Sequence, residues 1–381
     1  MANTTTPLIK YLKRTAILLA LVLFLCPLPI KVAYANSTAF KIYAGNKTYE
    51  FVNAEIAVVD GVKTLKCIDS VIDGIYLDTV IRPKDATITY NSERSNFDIT
   101  SESSGEQINK QELKESVIKA LNSNAPSVTA RLYTVAPSFT KKDAQSLTFL
   151  RSRFTTYYSS SIENRKLNIL LAASKLNGVK IEPQAEFSFN QTVGVRTEEN
   201  GFKMAKIILN GEYVDGVGGG VCQVSTTLYN AALLAGLKIT EHHSHSLQVS
   251  YVEPSFDAMV NSYSSDLKFK NETPYPMFIT ATADGNALAI AVYGKEQLEE
   301  YERVSVITGE TPPTTVETAL DASLTKGQTL EVRKAKNGVT SEGYLITYLN
   351  GERVKNVKIR SDSYKAINSK VLIGTLESVA G

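Results

Sequence analysis

The chain has 381 residues, of which 43% are hydrophobic and 21% are charged, a composition typical of globular domains that excludes a mostly disordered chain. At about 100–200 residues per domain, this length predicts two or three domains. Lys and Arg total 41 against 39 Asp and Glu, so the formal net charge is only +2. Because phosphate backbones are bound by a surplus of cations, this balance argues against nucleic acid as a partner.

Residues 1–35 have the order of a secretory signal peptide. Basic residues precede an apolar run over 16–26, and a small-x-small pattern follows at Ala33-Tyr34-Ala35. The apolar run is shorter than the roughly 20 residues of a comfortable membrane span. We therefore expect a secreted or cell-wall protein outside the cytoplasm. A retained membrane anchor is the alternative, with membrane contact only through this segment if it stays uncleaved.

The next part of the chain, residues 36–143, predicts a small α+β domain. Short alternating strands are expected from Phe40 to about Ala86, and Cys67 is expected to lie in this pattern away from any helix end. A helix capped by Asn109 follows, and Ser127–Tyr133 returns to strand.

Residues 144–296 predict a central α+β domain, in which a helix is followed by antiparallel strands. One helix is expected over 162–176, and a second after the triple glycine at 218–220. Four strand-like runs are expected after them, at 246–251, 257–263, 267–270 and 277–282.

The tail, residues 297–381, alternates without a helical period and predicts an all-β module. Asn350-Gly351 between two alternating runs is a strong signal for a β-hairpin turn. The whole chain is therefore predicted to be a multi-domain α+β protein.

Motifs of the central block resemble the VanW family over roughly residues 149–295. They are Phe187-Ser188-Phe189-Asn190, Arg196-Thr197-x-x-Asn200-Gly201, Gly218-Gly219-Gly220-x-Cys222-Gln223-x-Ser225-Thr226-Thr227-Leu228-Tyr229-Asn230, His243-Ser244-His245-Ser246, Asp257-Ala258 and Asp266–Asn271. Val195 and His242 depart from the family, which usually has Pro and Arg there.

The flanking segments carry their own resemblances. Residues 85–143 are similar to a peptidoglycan-binding domain that often precedes VanW domains, and residues 303–378 are similar to a degenerate five-glycine (G-five) surface domain. Together the resemblances imply a Gram-positive envelope protein whose partner is peptidoglycan or another cell-wall polymer. The VanW family is named for its proximity to vancomycin-resistance genes, and the resemblance supplies no activity.

The residues themselves favour a candidate cysteine site. Cys222 follows the glycines at the start of a helix, where the helix dipole and free N–H groups favour thiolate. Gly219, Gly220 and Gln223 are candidates for substrate approach or oxyanion binding. A nucleophilic cysteine needs a base and a group that orients it, and His243 or His245 could be the base with Asp257 as the orienter. In a strand both histidines would point to the same face. By analogy only, this order is that of transglutaminase-like and papain-like enzymes.

Two alternatives stay open beside catalysis. Cys222 could pack as a small buried hydrophobe, or Cys222, His243 and His245 could hold zinc. No cofactor is expected, since the glycine run lacks the Lys-Ser/Thr of a phosphate loop. The function hypotheses are a wall-bound cysteine enzyme acting on peptide or amide bonds, and a non-catalytic protein for wall binding or surface adhesion.

Overall fold

The computed structural model describes residues 39–209 and 211–377, and the predicted leader lies outside these ranges. The chain divides into two compact units. Of the described residues, one unit holds 39–86 together with Ser101–Thr140, and the other holds Thr87–Thr100 together with 141–377. Within the described ranges, no helix is long and apolar enough to cross a membrane.

Helices and strands alternate through most of the chain. The helices are Ile68–Thr79 (α1), Lys110–Asn122 (α2), Lys141–Ser146 (α3), Glu163–Leu176 (α4), Phe189–Val193 (α5) and Val221–Leu234 (α6). The strands are Phe40–Ala44 (β1), Lys47–Phe51 (β2), Ile56–Val59 (β3), Val62–Leu65 (β4), Thr87–Asn91 (β5), Asn96–Thr100 (β6), Gly105–Ile108 (β7), Ser127–Thr129 (β8), Leu132–Val135 (β9), Phe149–Tyr157 (β10), Val179–Ile181 (β11), Glu186–Ser188 (β12), Met204–Leu209 (β13), Glu212–Val217 (β14), Lys238–Glu241 (β15), Lys268–Lys270 (β16), Met277–Ala283 (β17), Ala287–Gly294 (β18), Glu299–Thr311 (β19), Val316–Thr325 (β20), Thr329–Arg333 (β21), Gly338–Leu349 (β22), Glu352–Tyr364 (β23) and Ser369–Leu376 (β24). The predicted mixed α and β fold class is confirmed.

The first unit packs α1 and α2 against short strands, with β1 antiparallel to β2 and parallel to β8. The Asn109 side chain caps α2 by accepting a hydrogen bond from the Glu112 amide at 3.1 Å. Helix α1 was missed, since strands were expected there. Its β-branched residues have weak helix propensity, but burial of Ile72 and Ile75 stabilises the helix through packing.

The central block of the second unit packs α4 and α6 on a four-stranded sheet of order β10-β18-β17-β11. Helix α6 is the centre of this core, since twelve of its fourteen residues are buried. A helix that is buried on nearly every side can carry polar side chains only where each has a hydrogen-bond partner.

Two predicted strands are wrong, since residues 246–251 and 257–263 form no strand. At the start of the second segment, side chains of α6 bond to the backbone where a neighbouring strand would. Ser225 Oγ donates to the Ala258 carbonyl at 2.6 Å, and Thr226 Oγ1 accepts from the Ala258 amide at 2.9 Å. Asn230 Nδ2 donates to the Phe256 carbonyl at 2.8 Å. The buried backbone is thereby satisfied in an irregular path.

The tail is all-β, as predicted, with sheets of order β19-β22-β23 and β20-β24-β21. The predicted hairpin joins β22 to β23, with φ of 53° at Asn350 and 80° at Gly351. Leu345 and Ile359 of this hairpin pack against the core of the central block. The central block and the all-β module thus lie in one compact unit.

Candidate functional site

Cys222 is the second residue of α6, directly after the glycines. Gly220 is the N-cap with φ of 104°, a left-handed conformation that favours glycine. The N–H groups in the first turn of a helix lack intrahelical acceptors, and they favour negative charge nearby. The residue as a whole is partly buried, and its Sγ lies 3.3 Å from the Val260 carbonyl oxygen.

His245 and Asp257 form a short, buried pair beside this helix start. Asp257 Oδ2 accepts hydrogen bonds from both the His245 amide and His245 Nδ1, each at 2.6 Å. The two side chains are 4% and 1% exposed. The bond to Nδ1 orients the ring and leaves Nε2 as the nitrogen that can serve a nucleophile.

The imidazole of His245 lies close enough to Cys222 for each group to shift the pKa of the other, so Cys222, His245 and Asp257 act on one another in series. Burial raises the pKa of the Cys222 thiol, but the hydrogen bond and charge of His245 outweigh it, so that this pKa lies below its ordinary value. Burial lowers the pKa of His245, and Asp257 and Cys222 more than compensate, raising it to about 9. Both shifts favour a thiolate–imidazolium pair.

Two arginines and a tyrosine surround the thiol. Arg196 helps to lower the pKa of Cys222 through its charge, and the Arg165 guanidinium also senses the thiolate charge. Burial holds the pKa of Tyr251 well above its ordinary value, so its hydroxyl stays protonated near Cys222. The sequence analysis quoted Arg196 only as part of a family motif and did not single out Arg165 or Tyr251, because the three residues come from separate segments.

The far side of Asp257 is held by the all-β module. Tyr364 Oη donates to Asp257 Oδ1 at 2.6 Å. Arg360 donates through Nη1 to the Asp257 carbonyl at 2.6 Å, and its Nη2 lies 3.5 Å from Oδ1. Burial raises the pKa of Asp257, but its bonds to His245, Arg360 and Tyr364 bring the pKa below its ordinary value.

The structure separates the two histidines that were predicted as alternatives. Strand β15 ends at Glu241, so His243 and His245 do not share a strand face and that expectation is wrong. His243 Nε2 lies 3.0 Å from Glu241 Oε1, and its side chain is 38% exposed. In the ranges that the structure describes, no group of three His, Cys, Asp or Glu is placed to hold a metal ion.

The residues that were predicted for substrate approach or oxyanion binding pack against other parts of the central block; they are Gly219, Gly220 and Gln223. A Cβ on Gly219 would lie 2.5 Å from the Lys206 carbonyl oxygen, so this glycine permits close packing against β13. Gln223 is 1% exposed, and its side chain donates to Thr156 Oγ1 at 2.9 Å and accepts from Arg165 Nη2 at 2.7 Å. Their predicted role in substrate approach stays a prediction.

A polar cavity of about 430 Å³ lies beside the site, and Cys222 does not line it. Its lining residues are Ser188, Asn190, Gln191, Glu241, Ser262, Tyr263, Ser264, Ser265, Asp266 and Lys268. The cavity shares a loop with the site, since Ser262 follows Val260, the acceptor of the Cys222 thiol, by two positions.

Cys67 differs from its expected environment. It is exposed, and it is the N-cap of α1 with φ of 52°. The expectation that it lies away from any helix end is therefore wrong.

Family models match three segments of the chain. Residues 164–293 match "VanW like protein", residues 304–376 match "G5 domain", and residues 44–130 match "Putative peptidoglycan binding domain". The resemblance to the VanW family with its two flanking modules is confirmed. This set of modules suggests association with the cell wall.

Two curated proteins are similar over the central part of the chain. The uncharacterized protein YoaR of Bacillus subtilis is 41% identical over 151 residues, which is 40% of this chain and 50% of that protein. The vancomycin B-type resistance protein VanW of Enterococcus faecalis is 29% identical over 149 residues, 38% of this chain and 54% of that protein. The chain thus spans about half the length of each relative. Among solved structures, an IgA1 protease G5 domain is 19% identical with a TM-score of 0.15, covering 20% of this chain and 90% of that one.

Proposed function

We propose that this chain is an exported cell-wall protein whose central block cleaves a peptide or amide bond of peptidoglycan through Cys222. The observation that carries the proposal is the buried His245–Asp257 pair, whose Nδ1–Oδ2 distance is 2.6 Å, together with the position of Cys222 at the start of α6. The mutual pKa shifts of Cys222 and His245 support it. An activated nucleophile, a base within hydrogen-bond reach and a group that orients the base are the three parts that covalent acyl transfer requires.

In the proposed reaction, the Cys222 thiolate attacks the carbonyl carbon of the scissile amide and a carbon–sulfur bond forms. The carbonyl oxygen becomes an oxyanion, for which the Cys222 amide at the helix start and the Tyr251 hydroxyl are donor candidates. The His245 imidazolium then gives its Nε2 proton to the leaving nitrogen, and the carbon–nitrogen bond breaks.

The second half of the reaction returns the enzyme to its starting state. Water gives a proton to His245 and adds to the thioester carbon, and the carbon–sulfur bond breaks. The products are a carboxylic acid, an amine and the Cys222 thiolate paired with the His245 imidazolium. Asp257 keeps its charge throughout, because its contribution is to hold Nδ1 of His245 and to stabilise the imidazolium.

The peptidoglycan substrate is supported by the flanking modules and by the neighbouring cavity. The peptidoglycan-binding and G5 models match either side of the central block. The cavity walls are hydroxyl, amide and charged groups, among them Glu241 and Lys268, which suit a polar wall fragment better than an apolar ligand.

The test is digestion of purified peptidoglycan sacculi by the mature chain, with soluble fragments and new amino groups followed by mass spectrometry. We expect the wild-type protein to release fragments, Cys222→Ala and His245→Ala to release none, and His243→Ala to retain activity. Binding to sacculi without release by the wild-type protein would instead establish the non-catalytic alternative of wall binding or adhesion. Zinc in stoichiometric amount, with Cys222 labelling that rises after chelation, would support the metal-binding alternative and contradict the proposal.

A further inference from the structure

We propose that the all-β module completes the Cys222 site, with Tyr364 and Arg360 of β23 acting as positioning residues that hold Asp257 against His245. This inference rests on the proposed function and adds to it a dependence of the site on the G5-type module.

Of the two positioning residues, Tyr364 makes the shorter hydrogen bond to the Asp257 carboxylate. It is the last residue of β23 and is 3% exposed. Its hydroxyl donates to Asp257 Oδ1 at 2.6 Å and accepts from the Ser255 amide at 2.7 Å. Because the hydroxyl has partners on both sides, it fixes the Asp257 carboxylate relative to the backbone that leads into it.

Arg360 holds the other side of the same residue. Its guanidinium donates to the Asp257 carbonyl at 2.6 Å, and it donates through Nε and Nη2 to the Asp362 carboxylate at 2.6 and 2.9 Å. The Arg360 side chain is 4% exposed. The two bonds to Asp362 therefore fix the Arg360 guanidinium on β23, in the position from which it donates to Asp257.

The partners of the two carboxylate oxygens show why the module is needed. Asp257 Oδ2 is satisfied within the central block by the amide and ring of His245. Among the described residues, the hydrogen bonds to Oδ1 come from Tyr364 and Arg360. An ionised carboxylate that is 1% exposed is costly to bury unless both oxygens are paired. Without the module, Oδ1 would have to turn toward water or take up a proton, and either change weakens its hold on His245.

The reactivity of Cys222 in the full-length chain provides the test. We would measure the rate of Cys222 alkylation against pH by peptide mapping, and the resonance of the His245 Nδ1 proton by NMR. For Tyr364→Phe we expect the rate at pH 6.5 to fall by about tenfold, in line with the loss of one hydrogen bond to a charged group. The alkylation midpoint should move toward that of an ordinary thiol, and the Nδ1 resonance should shift. Arg360→Lys should act in the same direction.

Matched controls separate positioning from general loosening of the module. Tyr348→Phe removes a hydroxyl that donates to Glu302 at 2.6 Å on the surface of the same module. Arg303→Lys alters a partly buried arginine that joins the module to the central block, through Asn230 at 2.6 Å. Neither residue touches Asp257, so both variants should keep the wild-type midpoint and the wild-type Nδ1 resonance.

The inference is overturned if Tyr364→Phe and Arg360→Lys, both folded by circular dichroism, match the two controls in midpoint and resonance. It is also overturned if Arg303→Lys shifts the midpoint as much as Tyr364→Phe does, since any loosening would then suffice. A failure of the proposed function looks different. In that case the wild-type Cys222 would already titrate as an ordinary thiol, and His245→Ala would not change its alkylation.

Discussion

The Tyr364 hydroxyl lies 2.6 Å from Asp257 Oδ1, although 107 positions separate the two residues in the chain. The first belongs to a segment that matches the G5 model and the second to a segment that matches the VanW model. A buried hydrogen bond to a carboxylate across such a boundary makes the two segments parts of one structural unit, in agreement with their shared core.

The first prediction concerns the ionisation of Cys222. Since His245 and Arg196 lower the pKa of the Cys222 thiol below its ordinary value, alkylation of the native protein should proceed well below the pH that an ordinary thiol requires. His245→Ala should raise the midpoint and slow labelling about tenfold for each pH unit by which it rises. Peptide mapping after brief iodoacetamide treatment measures this separately from the exposed Cys67.

His243→Ala is the matched control for this measurement. His243 is paired with Glu241 at 3.0 Å and does not contribute to the lowered pKa of Cys222, so its loss should leave the midpoint unchanged. Equal effects of the two histidine variants would contradict the assignment of His245 as the base.

The second prediction concerns stability against pH. The pKa of His245 is raised from 6.5 to about 9, so its contribution is fully present below about 6.5 and is lost as pH rises through about 9. The pKa of Cys222 is lowered from 9.0, so its contribution is lost as pH falls through the folded value. Between about pH 6.5 and 9 the folded state holds one proton on His245 and the unfolded state holds one proton on Cys222. The contributions of the two groups to the pH dependence of stability therefore cancel in this range.

In Cys222→Ser, the pH dependence of stability that His245 contributes should become visible. Relative to the wild-type protein, its free energy of unfolding is expected to decrease as pH rises above about 6.5, because Asp257 still raises the pKa of His245 and the unfolded state then binds fewer protons than the folded state. The pH range of this decrease should end below about 9, since the Cys222 thiolate no longer helps to raise the His245 pKa. Urea unfolding at several pH values measures this difference. Parallel curves for the two proteins would show that the thiol and the imidazole do not share a proton.

The third prediction concerns Arg303, which joins the all-β module to α6. Its guanidinium donates to Asn230 Oδ1 at 2.6 Å and lies over the rings of Phe154 and Phe256 at 4.4 and 4.6 Å. Arg303→Met keeps apolar packing but leaves the buried Asn230 oxygen unpaired, so we expect a loss of about 1–3 kcal/mol in urea unfolding. The exposed Arg353 is the control, and Arg353→Met should change stability by less than about 0.5 kcal/mol.

The fourth prediction concerns the glycine that precedes the Cys222 helix. A Cβ at Gly219 would lie 2.5 Å from the Lys206 carbonyl oxygen and 2.8 Å from Ala205. Because the obstacle is backbone, Gly219→Ala should destabilise the protein by about 1–3 kcal/mol and slow Cys222 labelling as the helix start moves. Gly74→Ala, at a glycine of α1 with ordinary helical backbone, meets no neighbour within 4 Å and should leave labelling unchanged. Wild-type labelling in Gly219→Ala would show that the close packing does not position the thiol.

The fifth prediction concerns binding to the wall. With a net charge of only +2, the chain should co-sediment with peptidoglycan sacculi by contacts that depend little on long-range charge. We expect the bound fraction to change only modestly between low salt and physiological salt. Absence of co-sedimentation at low salt would contradict wall association itself, and a steep loss with salt would point to a local basic patch.

Much of the fold followed from local pattern. The helices α4 and α6 were predicted because apolar residues recur at helical spacing and glycine or asparagine follows their ends. The Asn109 cap and the Asn350-Gly351 turn were predicted because each residue type satisfies a local backbone need. Helix α1 was missed because its stability comes from burial of Ile72 and Ile75, which a local pattern does not contain.

For the candidate site, the sequence by itself determined the residue types and their neighbourhood: a cysteine at a helix start, nearby histidines and a following aspartate. Only the tertiary structure decided between His245 and His243, because the strand ends at Glu241 and the chain beyond it is held at His245 by the Asp257 carboxylate and not by a strand period. The tertiary structure also placed Tyr364 and Arg360 beside Asp257. A buried carboxylate is paired with the donors that folding brings next to it, and these donors can lie far away in the sequence.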